Sequence, residues 1–155
     1  MKKTSDLNDW LAIYTKPRHE KIVANELERR GVEIFLPLLR ERRKWSDRKK
    51  WVEFPLFKSY LFAKNSKGKH LFHDIPGFVR VVKFGGDTAI VQESEIKAIK
   101  LMLEGGYIPQ NTDFFVRGDP VVVKLGPLKG LVGEIKHINN HNRFIVRIDA
   151  IQHSV

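Results

Sequence analysis

Residues 10–15, Trp-Leu-Ala-Ile-Tyr-Thr, are almost uninterruptedly apolar and read as a buried strand. Thr15-Lys16-Pro17 then opens a helix, with Thr15 as its cap and Pro17 tolerated in the first turn. Over residues 18–30, Ile22, Val23 and Leu27 fall on one face and Glu20, Lys21, Glu28 and Arg29 mostly on the other. Gly31 stands where a glycine ends a helix. Residues 32–39 return as a strand interrupted by Pro37, hence at an edge or a bulge. Residues 40–53 form a charged hairpin that turns near Ser46-Asp47. The next strand, 57–63, places Phe57, Leu61 and Ala63 on one face and Lys58, Tyr60 and Phe62 on the other. Residues 68–74 are short and helical, Pro76-Gly77 breaks the chain, and 78–84 is a further strand closed by the turn Gly85-Gly86-Asp87. Ser94 caps a helix that runs to Glu104, with Ile96, Ile99 and Leu103 at helical spacing and Gly105-Gly106 at its end.

Beyond Gly106 the period is lost. Residues 107–116 read as a linker, and from Arg117 onward short strands (121–124, 131–138 and 144–148) alternate with glycines and Asn139-Asn140, an all-β pattern. The pattern predicts two domains, an α+β unit over 1–106 and a small β-barrel over 117–155.

Charge adds direction. The 155 residues carry a formal net charge of +10. Split at residue 112, the first part has 22 basic against 14 acidic residues and the remainder 6 against 4, so the excess is mainly N-terminal. Such a balance favours nucleic acid, an acidic protein or an anionic membrane as partner. The absence of cysteine excludes disulfides and thiolate metal sites. No apolar run approaches a membrane span, and residues 1–9 lack the apolar core of a signal peptide, so a cytoplasmic protein is expected.

The densest signal lies at 40–50, where Arg40, Arg42, Arg43, Lys44, Arg48, Lys49 and Lys50 face only Glu41 and Asp47. Trp45 sits inside this run, Trp51 just after it, and an aromatic stretch, 54–62, follows. A cationic tip suits a phosphate backbone, and aromatic strands behind it suit a protein groove. His70/His73 and His137/His141 have helix-compatible spacings but no third ligand, so surface histidines are the better reading. No nucleophile arrangement, paired carboxylates or phosphate-cradling loop appears; the sequence predicts neither an enzyme nor a cofactor or metal site.

Two blocks carry a family resemblance. Gly118-Asp119-Pro120-Val121-Val122-Val123 with Gly126-Pro127-Leu128-Lys129-Gly130-Leu131-Val132-Gly133-Glu134-Ile135 resembles the KOW motif. Ahead of it, residues 10–18, 55–62 (Pro-Leu-Phe-Lys-Ser-Tyr-Leu-Phe) and 76–86 (Pro-Gly-Phe-Val-Arg-Val-Val-Lys-Phe-Gly-Gly), followed by Ala89-Ile90-Val91, resemble the N-terminal domain of NusG-type transcription factors. The hairpin Trp45-Ser-Asp-Arg-Lys-Lys resembles the specialised RfaH-like and polysaccharide-operon antiterminators more closely than the housekeeping factor. Lys58-Ser59 replaces the family's usual Pro-Gly or Pro-Asn. The chain stops at Val155, near the family's last KOW strand, so the barrel is expected to have an open edge.

The resemblance implies an α+β fold, an N-terminal antiparallel sheet flanked by helices and then a small all-β KOW barrel. It also implies a monomeric elongation or antitermination factor that docks on the clamp helices of the largest RNA polymerase subunit, contacts upstream or non-template DNA, and suppresses pausing or termination. Its polymerase-binding positions map onto Tyr14, Phe57, Tyr60, Phe62, Ile96, Ile99 and Leu103, expected as an open aromatic trough; the plainer alternative is ordinary core. Its DNA-binding positions map onto Lys16, Arg18, His19, Arg42, Arg43, Lys44, Trp45, Arg48 and Lys49, with Trp45 stacking on an unpaired base; the plainer alternative is a solvated basic face. The KOW domain would recruit a ribosomal protein or a termination factor, or neither. A free-standing KOW-type RNA-binding or ribosome-associated module is the competing function.

Overall fold

The computed structural model describes residues 8–66, 68–105, 119–122, 132–138, 141–151 and 153–154. The expected apolar strand is β1 (Trp10–Thr15), and it is the centre of the molecule. It pairs antiparallel with β5 (Tyr60–Lys64) on one side, and on the other with β6 (Phe78–Val81) and, at its start, β9 (Ile90–Val91). A short β2 (Ile34–Phe35) adds beyond β5, and the break at Pro37 separates it from the hairpin strands.

Both faces of this sheet are covered, which is why β1 is apolar at nearly every position. Residues directly opposite in an antiparallel pair share a face. Leu11 and Ile13 with Ala63 and Leu61 therefore face one way, onto Val23, Ala24 and Leu27 of α1 (Glu20–Arg29), with Val32, Phe72 and Ile75. Trp10 and Ala12 with Phe62 face the other way, onto Ile96, Ala98, Ile99 and Met102 of α2 (Glu93–Glu104). The Trp10 indole donates to Glu93 at 2.6 Å, pinning the start of α2 to the first strand.

Several local expectations change. Thr15 does not cap α1: it is fully buried in β1, its hydroxyl donates to the Lys16 carbonyl, and the helix starts five residues later with His19 at the cap position. The buried stripe of α1 is Glu20, Val23, Ala24 and Leu27, at i, i+3, i+4 and i+7, which leaves Ile22 48% exposed. Glu20, expected on the polar side, is 5% exposed because its carboxylate accepts the Ser59 N–H at 2.8 Å. Phe57 packs with Phe62 rather than with Leu61, because strand alternation begins only at Tyr60 and the preceding turn redirects the chain. At α2, Gln92 rather than Ser94 is the cap, and Glu95 reaches back to accept the Gln92 N–H at 2.8 Å.

That turn hinges on Ser59, which holds φ at +66°. A left-handed conformation costs a non-glycine residue about 1–2 kcal/mol. Ser59→Gly is expected to stabilise the fold by about 0.5–1 kcal/mol after glycine's own entropy cost, read as a higher urea midpoint. An unchanged or lower midpoint would show the turn to be unstrained. The glycine pair Gly85-Gly86, φ +56° and +88°, makes the turn between β7 (Lys83–Phe84) and β8 (Asp87–Thr88), as its sequence predicts.

The C-terminal region is β-rich. Strands β10 (Asp119–Val122), β11 (Val132–Ile138) and β12 (His141–Ile145) form one antiparallel sheet, and β13 (Arg147–Ile148) pairs with β14 (His153–Ser154). Arg147 grips Glu134 through two parallel bonds of 3.1 and 3.0 Å, tying β13 to β11. The expected linker, 107–116, lies outside the described residues.

Candidate functional site

The basic run folds as a two-stranded ribbon, β3 (Leu38–Trp45) against β4 (Arg48–Pro55), with Ser46-Asp47 as its turn. Every residue from Arg40 to Trp51 is exposed. The register pairs Arg43 with Lys50 and Lys44 with Lys49, so like charges stand directly opposite each other, an arrangement that weakens a hairpin on its own. Arg40 is neutralised by Glu53 and Arg43 by Glu41, each at 3.3 Å. Arg42, Lys44, Arg48, Lys49 and Lys50 have no acidic partner among the described residues.

Alternation sorts the ribbon into two faces. One carries Arg40, Arg42, Lys44, Lys49, Trp51 and Glu53, with the Arg40 guanidinium 5.7 Å from the Trp51 ring. The other carries Trp45, Arg48, Lys50, Val52 and Phe54, and its half-buried Val52 and Phe54 turn towards α1. Lys21 of α1 donates to the Glu53 carbonyl at 3.2 Å and fixes the ribbon's base. Two adjoining grooves follow β4, an inner one of about 630 Å³ beside Arg18 and Lys58 and an outer one of about 500 Å³ beside Trp45 and Lys50.

Lys16, Arg18 and His19 occupy the turn between β1 and α1, where Arg18 adopts φ +64°. His19 Nδ1 donates to the Pro17 carbonyl at 3.0 Å, and Lys16 N–H donates to the Gly77 carbonyl at 2.8 Å. The turn thus rests on Gly77, and Arg18 looks across the inner groove at the hairpin base. Lys21 belongs to the same surface although no motif singles it out and only the packing of α1 reveals it; Lys50 and Trp51, already marked by the basic run, are placed there by the register.

The expected aromatic trough is closed. Phe57 and Phe62 are 1% and 0% exposed, edge to face at 6.0 Å, and Ile96 and Ile99 above them are also fully buried. Val146, Ile148, Ala150 and Ile151 belong to the same core cluster, and the 3-10 turn Asp149–Ile151 lies against β9. Tyr14 and Tyr60, opposite each other in register with rings 5.3 Å apart, stay half-buried at the rim, as does Leu103. Arg80 lies over Tyr14 at 4.9 Å.

Among the described residues no three His, Asp or Glu side chains gather as a metal site, and no helix is long and apolar enough to cross a membrane.

The model of the NusG family, described as "Transcription termination factor nusG", matches residues 8–100, and that of the KOW motif matches residues 117–149. No curated protein matches the chain. A solved structure described as "Domain interaction in Thermotoga maritima NusG" is 24% identical, covers 96% of this chain and 92% of its own, and superposes with a TM-score of 0.50, a likeness of fold. NusG-family proteins are elongation and antitermination factors that generally bind RNA polymerase, and neither NusG nor KOW is an enzyme family. With the first match spanning more than half of its length and the second following in order, the chain belongs to the NusG family of transcription factors.

Proposed function

We propose that this chain is a specialised, RfaH-like antitermination factor that rides on RNA polymerase in the cytoplasm as a monomer. A domain of residues 1–106 docks on the clamp helices of the largest subunit through the apolar face around Tyr14, Phe57, Tyr60, Phe62, Ile96, Ile99 and Leu103. The basic hairpin, with Lys16, Arg18 and His19 beside its base, reaches upstream or non-template DNA. A KOW domain of residues 117–155, joined through 107–116, recruits a ribosomal protein or a termination factor. Holding polymerase and DNA together raises the effective concentration of each for the other and biases the clamp towards its closed state.

One observation carries this reading: the hairpin sets like charges opposite each other and leaves five cations without acids. A polyanion along the ribbon removes that repulsion, so the ribbon's charge is satisfied by its ligand rather than by the fold. At the apolar face, residues 146–151 occupy the surface that polymerase helices would need. Docking therefore requires this segment to give way, and the affinity for polymerase is lowered by the fraction of covered molecules.

The test is transcription in vitro through a pause site and a terminator. The wild-type protein is expected to shorten the pause and raise read-through. Replacing Arg42, Arg43, Lys44, Arg48 and Lys49 with Ala is expected to abolish both and to flatten the salt dependence of DNA binding by about 3.5–4.5 units of slope. Those side chains are exposed, so the variant folds. Unaltered pausing and slope in this variant would exclude the hairpin as the DNA contact.

A further inference from the structure

We infer that the groove between β6 and the 3-10 turn Lys69–Phe72 binds a small soluble nucleotide, its base at His73 and Phe78 and its phosphates at Lys69, Arg80 and Lys83. The site goes beyond the hairpin reading, since β6 stands at the end of the sheet opposite β2, the strand that leads into the ribbon.

The register gives this groove two unlike ends. Val81 lies opposite Ile13 and so faces α1. A register shift between Tyr14 and Thr15 returns Phe78 to that face, opposite Thr15, and leaves Val79 42% exposed beside it. There the half-buried Phe78 ring meets the exposed His73 ring edge to face at 6.2 Å. At the far end Lys83 emerges on the side of Val81, because Val82 between them packs into the opposite cluster. Its register partner on β8 is Thr88, and Lys69 crosses from the 3-10 turn to donate to the Thr88 hydroxyl at 2.6 Å. Two ammonium groups are thus drawn to one end, and Lys69 keeps two further donors. Arg80 lies over Tyr14 at 4.9 Å and borders the groove between the two ends. Lys69, Arg80 and Lys83 have no acidic partner among the described residues, and no acid lines the groove.

The volume, about 640 Å³, is that of a small-molecule site. Phe78 and Lys83 stand about 15–17 Å apart along the strand, a length that an extended nucleotide bridges from base to terminal phosphate. Three cations without acids call for a polyphosphate, and aromatic rings at one end only call for a single base. A duplex keeps its bases stacked and offers only its backbone. Inorganic polyphosphate shares the anionic chemistry but has nothing for the aromatic end.

Titrating the full chain with mant-labelled ATP, then displacing the label with ATP, GTP, CTP, UTP, adenosine, inorganic tripolyphosphate or a DNA duplex, separates the sources. The nucleoside triphosphates are expected to compete, and their ranking names the base. Tripolyphosphate should bind about 5- to 150-fold more weakly, the worth of one base–aromatic stack, and adenosine should not compete. His73→Ala should weaken ATP about fivefold or more and leave tripolyphosphate within about twofold, and His73→Phe should restore ATP binding. Lys69→Ala and Lys83→Ala should each weaken both ligands about tenfold. Amide shifts on adding ATP should gather at residues 69–73 and 78–83 and leave the hairpin unmoved. No binding at millimolar ATP, tripolyphosphate as tight as ATP, or ATP affinity unmoved by His73→Ala would each overturn the site. Displacement by the duplex more readily than by ATP would assign these cations to a DNA backbone and overturn it as well.

Discussion

Gly77→Ala is expected to destabilise the N-terminal sheet by about 3 kcal/mol, through two terms that can be separated. Gly77 holds φ at +89°, a conformation that L side chains rarely adopt. A Cβ at this position would also stand 2.4 Å from His19 Cβ and 2.7 Å from two of its ring atoms. The near neighbour is the root of a side chain, so the backbone of the 16–19 turn must move, and with it the bond from Lys16 to the Gly77 carbonyl. His19→Ala in the same chain should recover only part of the loss because Cβ remains, and His19→Gly should recover the steric share and leave the backbone share. Thermal unfolding followed by the buried Trp10 reports the effect. A midpoint within about 0.5 kcal/mol of wild type would mean that the turn does not rest on Gly77. Since Lys16 and Arg18 travel with the turn, the same variant should also weaken DNA binding at temperatures where it is still folded.

Ile148→Glu is the second large effect, and it separates the two halves of the molecule. Ile148 is fully buried in the cluster that contains Phe57, Phe62, Ile96 and Ile99. An unpaired carboxylate placed there costs about 3–5 kcal/mol, and the cheapest relief is for residues 146–151 to leave the surface. The sheet, α1 and α2 keep their own contacts, including the Trp10 to Glu93 bond, so the N-terminal unit should remain folded. Hydrogen exchange is expected to quicken at Leu56, Phe57 and the buried side of α2 while the amides of β1 stay protected. Polymerase binding should strengthen tenfold or more as the covered state is depopulated. Unchanged exchange around Phe57 would mean that the segment does not cover this face, and tighter polymerase binding without an exchange change would place the docking surface elsewhere.

The hairpin was legible almost to the residue, because its turn, its charge alternation and its length are properties of neighbours within a few positions. The same holds for the apolar β1, the stop at Gly31 and the Gly85-Gly86 turn. Misplaced features share a cause. Glu20 looks solvent-facing until a backbone N–H from Ser59, 39 residues away in the chain, arrives to satisfy it. Phe57 follows the wrong face when a strand is assumed to begin before the chain has turned at Ser59. Ile22 is counted with the apolar stripe until α1 is seen to rotate it off the sheet.

By itself the sequence determined the ribbon, the buried first strand, the α+β then β order and the positive tip, since these follow from periodicity, turn chemistry and charge over short spans of chain. Tertiary structure alone decided that Trp51 and Trp45 share a groove with Lys21, that Gly77 seats His19, and that residues 146–151 close over the aromatic face. Those outcomes depend on contacts between segments far apart in the chain, and the free energy that selects them comes from burial and polar pairing across that distance, to which no local pattern responds.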